Sequence, residues 1–141
     1  MCKVREVYTY TATSVYTSIP LAAPSSSIGT TLTNTSEVQN KVYTLYNTKA
    51  KSVGKYILNK NINYFENNDQ GFVGNLVFLF DDGSYVMILL YVSSNNTIAP
   101  PNRKYVEKAV STGGKYAGKD VTVTVKTDNT LTRKVIITYD K

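Results

Sequence analysis

Residues 71–93 read GFVGNLVFLFDDGSYVMILLYVS, and the fold turns on how this stretch pairs with itself. Two apolar runs flank Asp82-Gly83. Asp-Gly between apolar runs predicts a β-hairpin, because a two-residue type I′ turn needs positive φ at both central positions. Centring the turn there pairs Phe80 with Tyr85, Phe78 with Met87, Leu76 with Leu89 and Gly74 with Tyr91. Side chains alternate faces along a strand. One face therefore gathers Phe72, Leu76, Phe78, Phe80, Tyr85, Met87, Leu89 and Tyr91, and these are the expected interior residues. The other gathers Val73, Val77, Leu79, Val86, Ile88, Leu90 and Val92. A hairpin apolar on both faces is covered on both faces. The aliphatic set is accordingly the expected contact surface of a homo-oligomer.

The rest of the chain continues in the same vein. In residues 4–16, Val4, Tyr8, Tyr10 and Ala12 share one face, and Arg5, Thr9, Thr11 and Thr13 the other, as in a half-solvated strand. Residues 18–36 hold Pro20, Pro24, three consecutive serines and Gly29, and read as a long loop. Residues 37–47 and 61–65 read as strands. Residues 50–59 read as a strand carrying Gly54, a mark of a bulge or a close backbone approach. Residues 104–111 fit one helical turn or a strand. Residues 120–126 alternate with Val121, Val123 and Val125 inward. Residues 132–139 return with Val135, Ile137 and Tyr139 inward. Many short strands with close turn signals mean a barrel or a sandwich. With 141 residues, 42% of them hydrophobic, a single β domain spanning 1–141 is expected.

Several chemistries are excluded outright. The chain has no histidine, so it carries neither a Ser-His-Asp triad nor a His-ligated metal. Its one cysteine, Cys2, cannot form an intramolecular disulfide. Gly113-Gly114-Lys115 lacks the spacing of a phosphate loop. No cofactor is expected. Asp69, Asp81 and Asp82 are carboxylates in turns, where Asp ordinarily accepts backbone N–H groups, so no metal site is expected. No apolar run approaches the length of a membrane span. The absence of an apolar leader gives cytoplasmic synthesis as the expectation. The net charge of +6 keeps a polyanion in view, and Lys41, Lys49, Lys51, Lys55 and Lys60 lie among Tyr43, Tyr46 and Tyr56. On alternating strands these side chains divide between faces, so nucleic acid is not the expected partner. General acid–base work would need a carboxylate inside the barrel. Glu66 and Glu107, with Tyr64 or Tyr105 as phenolic partners, are the candidates.

Residues 50–141 resemble the allene oxide cyclase and dirigent barrel families. The resemblance lies in an order of elements: a Gly-containing strand around Gly54, a strand ending in the acidic-Gly turn at Asp82-Gly83, an apolar return, then AVSTGGKYAG at residues 109–118. In that last signature Gly113, Gly114, Gly118 and Tyr116 match the families. The resemblance implies an antiparallel eight-stranded β-barrel with an apolar interior, commonly trimeric; a β-sandwich is the alternative fold. The families' catalytic residues find no counterparts here. The leading expectation is thus a non-enzymatic oligomeric barrel, a structural or binding module whose Asn/Lys/Tyr/Ile usage suits a viral or phage capsid component or a decoration on the virion. The alternative is a cyclase, isomerase or dirigent-like protein that orients an apolar ligand inside the barrel. A filled interior favours the first, and a cavity with convergent Glu and Tyr favours the second.

Overall fold

A computed structural model describes residues 2–12, 17–20, 32–65, 70–94, 104–127 and 131–141, with side chains for 2–12, 40–61, 74–89, 104, 106–127 and 131–141. Among the described residues, ten antiparallel strands appear in chain order: β1 (Lys3–Thr11), β2 (Thr17–Pro20), β3 (Leu32–Tyr46), β4 (Ser52–Phe65), β5 (Gln70–Phe80), β6 (Tyr85–Ser94), β7 (Lys104–Lys108), β8 (Ser111–Gly113), β9 (Thr122–Thr127) and β10 (Thr132–Asp140). One 3₁₀ turn, η1 (Gly114–Tyr116), follows β8. The sheet order is β7-β9-β10-β1-β3-β4-β5-β6-β8, with β2 also on β3.

The two ends of that order belong to one continuous stretch of chain. β7 pairs with β9, and the Ala109 N–H extends that ladder by donating to the Val121 carbonyl at 2.9 Å. The next residue changes partner: the Val110 N–H donates to the Met87 carbonyl on β6 at 2.8 Å, and β8 then pairs with β6. A single bent stave thus closes the sheet into a barrel. β1 and β2 form a second broken stave, pairing β3 at Thr9↔Tyr46 and again at Thr17↔Asn40. Among the described residues, ten strands therefore make eight staves. Thr-, Ser- and Asn-rich residues that read as loop supply β2 and the first part of β3. Pairing of β2 with β3, and of β3 with β4, gives their backbone groups partners that the polar sequence does not advertise.

The hairpin at residues 70–94 forms with a different turn. Its loop holds three residues, Asp81, Asp82 and Gly83. The Gly83 N–H donates to the Phe80 carbonyl at 2.9 Å and the Phe80 N–H to the Ser84 carbonyl at 2.8 Å. Gly83 has φ +88°, whereas Asp82 is not among the residues with positive φ. A type I′ turn is thereby excluded, and the arrangement is a type I turn closed by a left-handed glycine. Asp82 uses its carboxylate to accept the Ser84 N–H at 2.8 Å.

One extra loop residue slips the register by one. Leu79 pairs with Tyr85, Phe78 with Val86, Val77 with Met87 and Leu76 with Ile88. A one-residue slip sends every side chain of one strand to the opposite face. Val86 and Ile88, expected outside, are fully buried beside Leu76, Phe78 and Phe80. Tyr85, Met87 and Leu89, expected inside, lie on the outer face, and Leu89 is 56% exposed. Val77 and Leu79 also face outward, Leu79 at 38%. Side chains at Phe72, Val73, Leu90, Tyr91 and Val92 lie outside those described. The core continues around the barrel through Leu45, Leu58, Val123, Val135 and Ile137.

The register has a direct test in stability. Ile88→Lys places an ammonium group in the core and is expected to cost several kcal/mol, about 3 or more, enough to abolish cooperative unfolding. Leu89→Lys is expected to change stability by less than about 1 kcal/mol. Urea unfolding of the two variants reads the difference, and the reverse order would restore the two-residue turn.

Candidate functional site

The inner face of β1 is not wholly apolar. Alternation that turns Tyr8 and Tyr10 into the core also turns Glu6 inward, and its side chain is only 21% exposed. A carboxylate inside a barrel needs donors. They come from η1, 109 and 110 residues further on. Lys115 Nζ donates to Glu6 Oε2 at 2.8 Å, and the Tyr116 hydroxyl donates to Glu6 Oε1 at 2.7 Å.

The turn that sets the hairpin register also places η1. In the observed register Ser84 points inward and is 2% exposed. Its Oγ accepts the Lys115 N–H at 3.1 Å. Gly114 lies against Ser84 with φ +63°, and a Cβ there would come within 2.6 Å of the Ser84 Cα. Both the left-handed backbone and the close approach call for glycine. Docked in this way, Tyr116 fills the end of the barrel with no exposure, and its ring meets Phe80 at 5.7 Å and Tyr139 edge-on at 5.3 Å. Lys115 Nζ lies 5.0 Å from the Tyr116 ring centre and 5.6 Å from that of Phe80. The signature glycines are thus the hinge that carries Lys115 and Tyr116 to Glu6.

Tyr8 completes the group. It packs on Phe80 at 5.0 Å, and its phenol feels the neighbouring Tyr116, Glu6 and Lys115. A phenol has one proton. The Tyr116 proton goes to Glu6. Burial, then the hydrogen bond to Glu6 and the neighbouring Tyr8, push the Tyr116 phenol far above its ordinary value. Burial likewise raises Tyr8. For Lys115 burial works downward, but the contacts with Glu6 and Tyr8 outweigh it and hold its ammonium above the usual range. The chain Tyr8–Tyr116–Glu6–Lys115 therefore stays protonated at both phenols and charged at the lysine through neutral pH.

This group borders an open cleft of about 380 Å³, lined by Tyr8, Asn47, Lys51, Ser52, Val53, Phe80, Asp81, Asp82 and Lys115. It forms where β1 and β3 part. Their ladder holds the single pair Thr9↔Tyr46 at this end, and the chain then turns away at Asn47. Asn47 Oδ1 stiffens that turn by accepting the Lys49 and Lys51 N–H groups at 2.9 and 3.0 Å. The volume suits a small organic molecule, and Tyr8, Phe80 and Val53 give it an apolar wall.

The residues expected to carry acid–base chemistry are placed elsewhere. Glu107 is exposed on β7. Glu66 and Asp69 lie outside the described residues, and the side chains of Tyr64 and Tyr105 lie outside those described. Among the described residues no three or more His, Cys, Asp or Glu side chains are grouped to hold a metal ion. The lysine–tyrosine run of residues 41–60 does not make one surface: Lys55 is exposed, Lys49 and Lys51 stand in or beside the turn, and Lys41 and Lys60 share the inward parity of Tyr43 and Tyr56. Glu6 is missed by the sequence reading above, although its place two residues before Tyr8 in an alternating strand is the signal that could have found it. Its partners carry no such signal, because only the fold brings residues 115 and 116 to it.

The buried phenols govern alkaline stability. Burial pushes Tyr10 up to about 12 and raises Tyr8, Tyr43 and Tyr116 as well. In the unfolded chain a tyrosine ionises near 10, so between pH 10 and 12 the unfolded state has lost protons that the folded state keeps. Stability is then constant below about pH 10 and falls above it, by up to about 1.4 kcal/mol per pH unit for each such phenol. Phenolate absorbance and urea stability measured together are expected to show several of the 12 tyrosines ionising only on unfolding. Tyr116→Phe should make the fall shallower. Twelve phenols titrating near 10 in an intact fold would contradict this.

No protein-family model matches the chain, and no curated protein matches it. Among solved structures it is similar to the pterocarpan synthase dirigent protein GePTS1, with a TM-score of 0.55 and 14% identity over 99% of this chain and 90% of that one. The likeness takes in residues 1–49 as well as the part that resembled the family in sequence. The barrel closed by residues 104–113 thus has the dirigent-like β-barrel fold.

Proposed function

We propose that this protein is a dirigent-like binding barrel that holds a small phenol in the cleft beside Tyr8 and Lys115 and fixes its orientation. The observation that carries the reading is the convergence of Glu6, Tyr116, Tyr8 and Lys115 at the edge of an aromatic-walled cleft. The fold likeness favours this ligand-orienting reading over that of a structural module. The middle of the barrel is filled by Leu45, Leu76, Phe78 and Ile88, so the ligand binds at the mouth and not along the axis.

Counting hydrogen bonds defines what the cleft offers. The Tyr8 oxygen, on the wall of the cleft, carries lone pairs that can accept. Lys115 gives one of its three protons to Glu6, which leaves a donor for the cleft. A hydroxyl group matches both, donating to Tyr8 and accepting from Lys115. A ring attached to that hydroxyl can lie against Phe80. Lys115→Met and Tyr8→Phe are each expected to weaken binding of 1-naphthol about ten-fold, the worth of one hydrogen bond to a charged or buried partner. Leu89→Lys, on the outer face, should leave affinity unchanged. Calorimetry showing no saturable binding to the wild-type protein, or equal affinity in the two cleft variants, would overturn the proposal.

A further inference from the structure

The outer face of the barrel gathers like charges in register. On β9, Val123 and Val125 are buried, so alternation turns Lys126 outward. On β10, Val135 and Ile137 are buried, so Lys134 faces outward too. Lys126 pairs with Lys134 on one side and with Lys104 of β7 on the other. Three lysines therefore stand side by side on three adjacent strands. At the usual strand spacing of about 4.8 Å the row spans about 10 Å. Like charges directly opposite one another destabilise a sheet. The fold itself gains nothing from this row.

The described carboxylates nearby do not relieve it. Asp120 is held by Lys108 at 2.9 Å and Asp140 by Lys3 at 3.2 Å. Glu107 pairs with Val123 and so takes the opposite parity on β7. Among the described residues, Lys104, Lys126 and Lys134 have no ion pair. Hydroxyls flank the row. Thr124 precedes Lys126 by two residues on the same face of β9, and Thr9 of β1 pairs with Lys134. Beyond Thr9 the ladder reaches Tyr46, the one ring in the row.

We propose that the Lys104–Lys126–Lys134 row docks an acidic polysaccharide, a polyuronate lying across β7, β9 and β10. A polyuronate carries one carboxylate on each sugar ring. Each ring takes up close to one strand spacing of the polymer's length, so its charges keep step with the lysines. Ammonium groups on flexible stems can follow carboxylates that turn from ring to ring. Threonine hydroxyls both donate and accept, which suits the hydroxyls of a sugar. Single-stranded nucleic acid would call for successive rings among the cations, and this row has a ring only at its end. The net charge of +6 steers any such polyanion toward the chain. None of the three lysines lines the phenol cleft, so the two readings stand independently.

The test is calorimetry of the whole protein with a mannuronate hexamer. Saturable binding is expected, weakening as salt is raised. Lys126→Gln should weaken it about five-fold, and the triple variant with Lys104→Gln and Lys134→Gln about a hundred-fold. Lys55→Gln makes the same change of charge on the exposed side of β4 and should leave affinity within about two-fold. The three side chains lie outside the core, so the triple variant should unfold at the same urea concentration or a higher one. Absence of saturable binding to the wild-type protein would overturn the proposal. So would equal losses in Lys126→Gln and Lys55→Gln, which would reduce the effect to net charge. Tighter binding of an oligothymidylate of equal charge would overturn it as well, and would assign the row to nucleic acid.

Discussion

The three-residue turn at Asp81-Asp82-Gly83 decides more of this structure than any other contact. Its left-handed glycine and the Asp82 carboxylate on the Ser84 N–H fix β6 against β5 one residue away from the two-residue alternative. That single step turns Val86 and Ile88 into the core. It also turns Ser84 inward, and Ser84 is what receives the Lys115 N–H and seats η1. In the alternative register Ser84 would face out, η1 would lose its anchor, and Lys115 and Tyr116 would not be carried to Glu6. The core and the candidate site thus depend on the same few atoms.

This dependence explains what the sequence disclosed and what it withheld. Where one face of a strand is apolar and the other polar, alternation identifies the inside, as Val121, Val123 and Val125 against Thr122 and Thr124 do on β9. In the central hairpin both faces are apolar, so hydrophobicity cannot choose between registers and the turn alone decides. Asp-Gly fits two turn types, and they differ in whether Asp82 must adopt positive φ. For a residue with a Cβ that conformation is costly, and the structure avoids it. The AVSTGGKYAG signature showed in sequence that something special happens at residues 109–118. That the glycines serve to deliver Lys115 and Tyr116 depended on a partner more than one hundred residues away.

The polar groups of the interior follow a second logic. At the described mouth a carboxylate is held by an ammonium and a phenol, a satisfied network that is rigid and directional. Further along the interior the rings of Tyr10, Tyr43 and Tyr56 lie against one another. The charged network costs more to build than an aliphatic core would, and it borders the cleft at the barrel mouth. A fold of this kind serves as a rigid frame, and its polar exceptions are where recognition is to be sought.

The central claim is that a phenol occupies the mouth cleft against the Tyr8–Tyr116–Glu6–Lys115 group. Titrating 1-naphthol into isotope-labelled protein while following amide and side-chain resonances tests it most directly. The account predicts saturable shifts at Tyr8, Asn47, Phe80 and Lys115, with Val77, Met87 and Leu89 on the outer face undisturbed. Saturable shifts confined to that outer face, or none at the mouth, would contradict it.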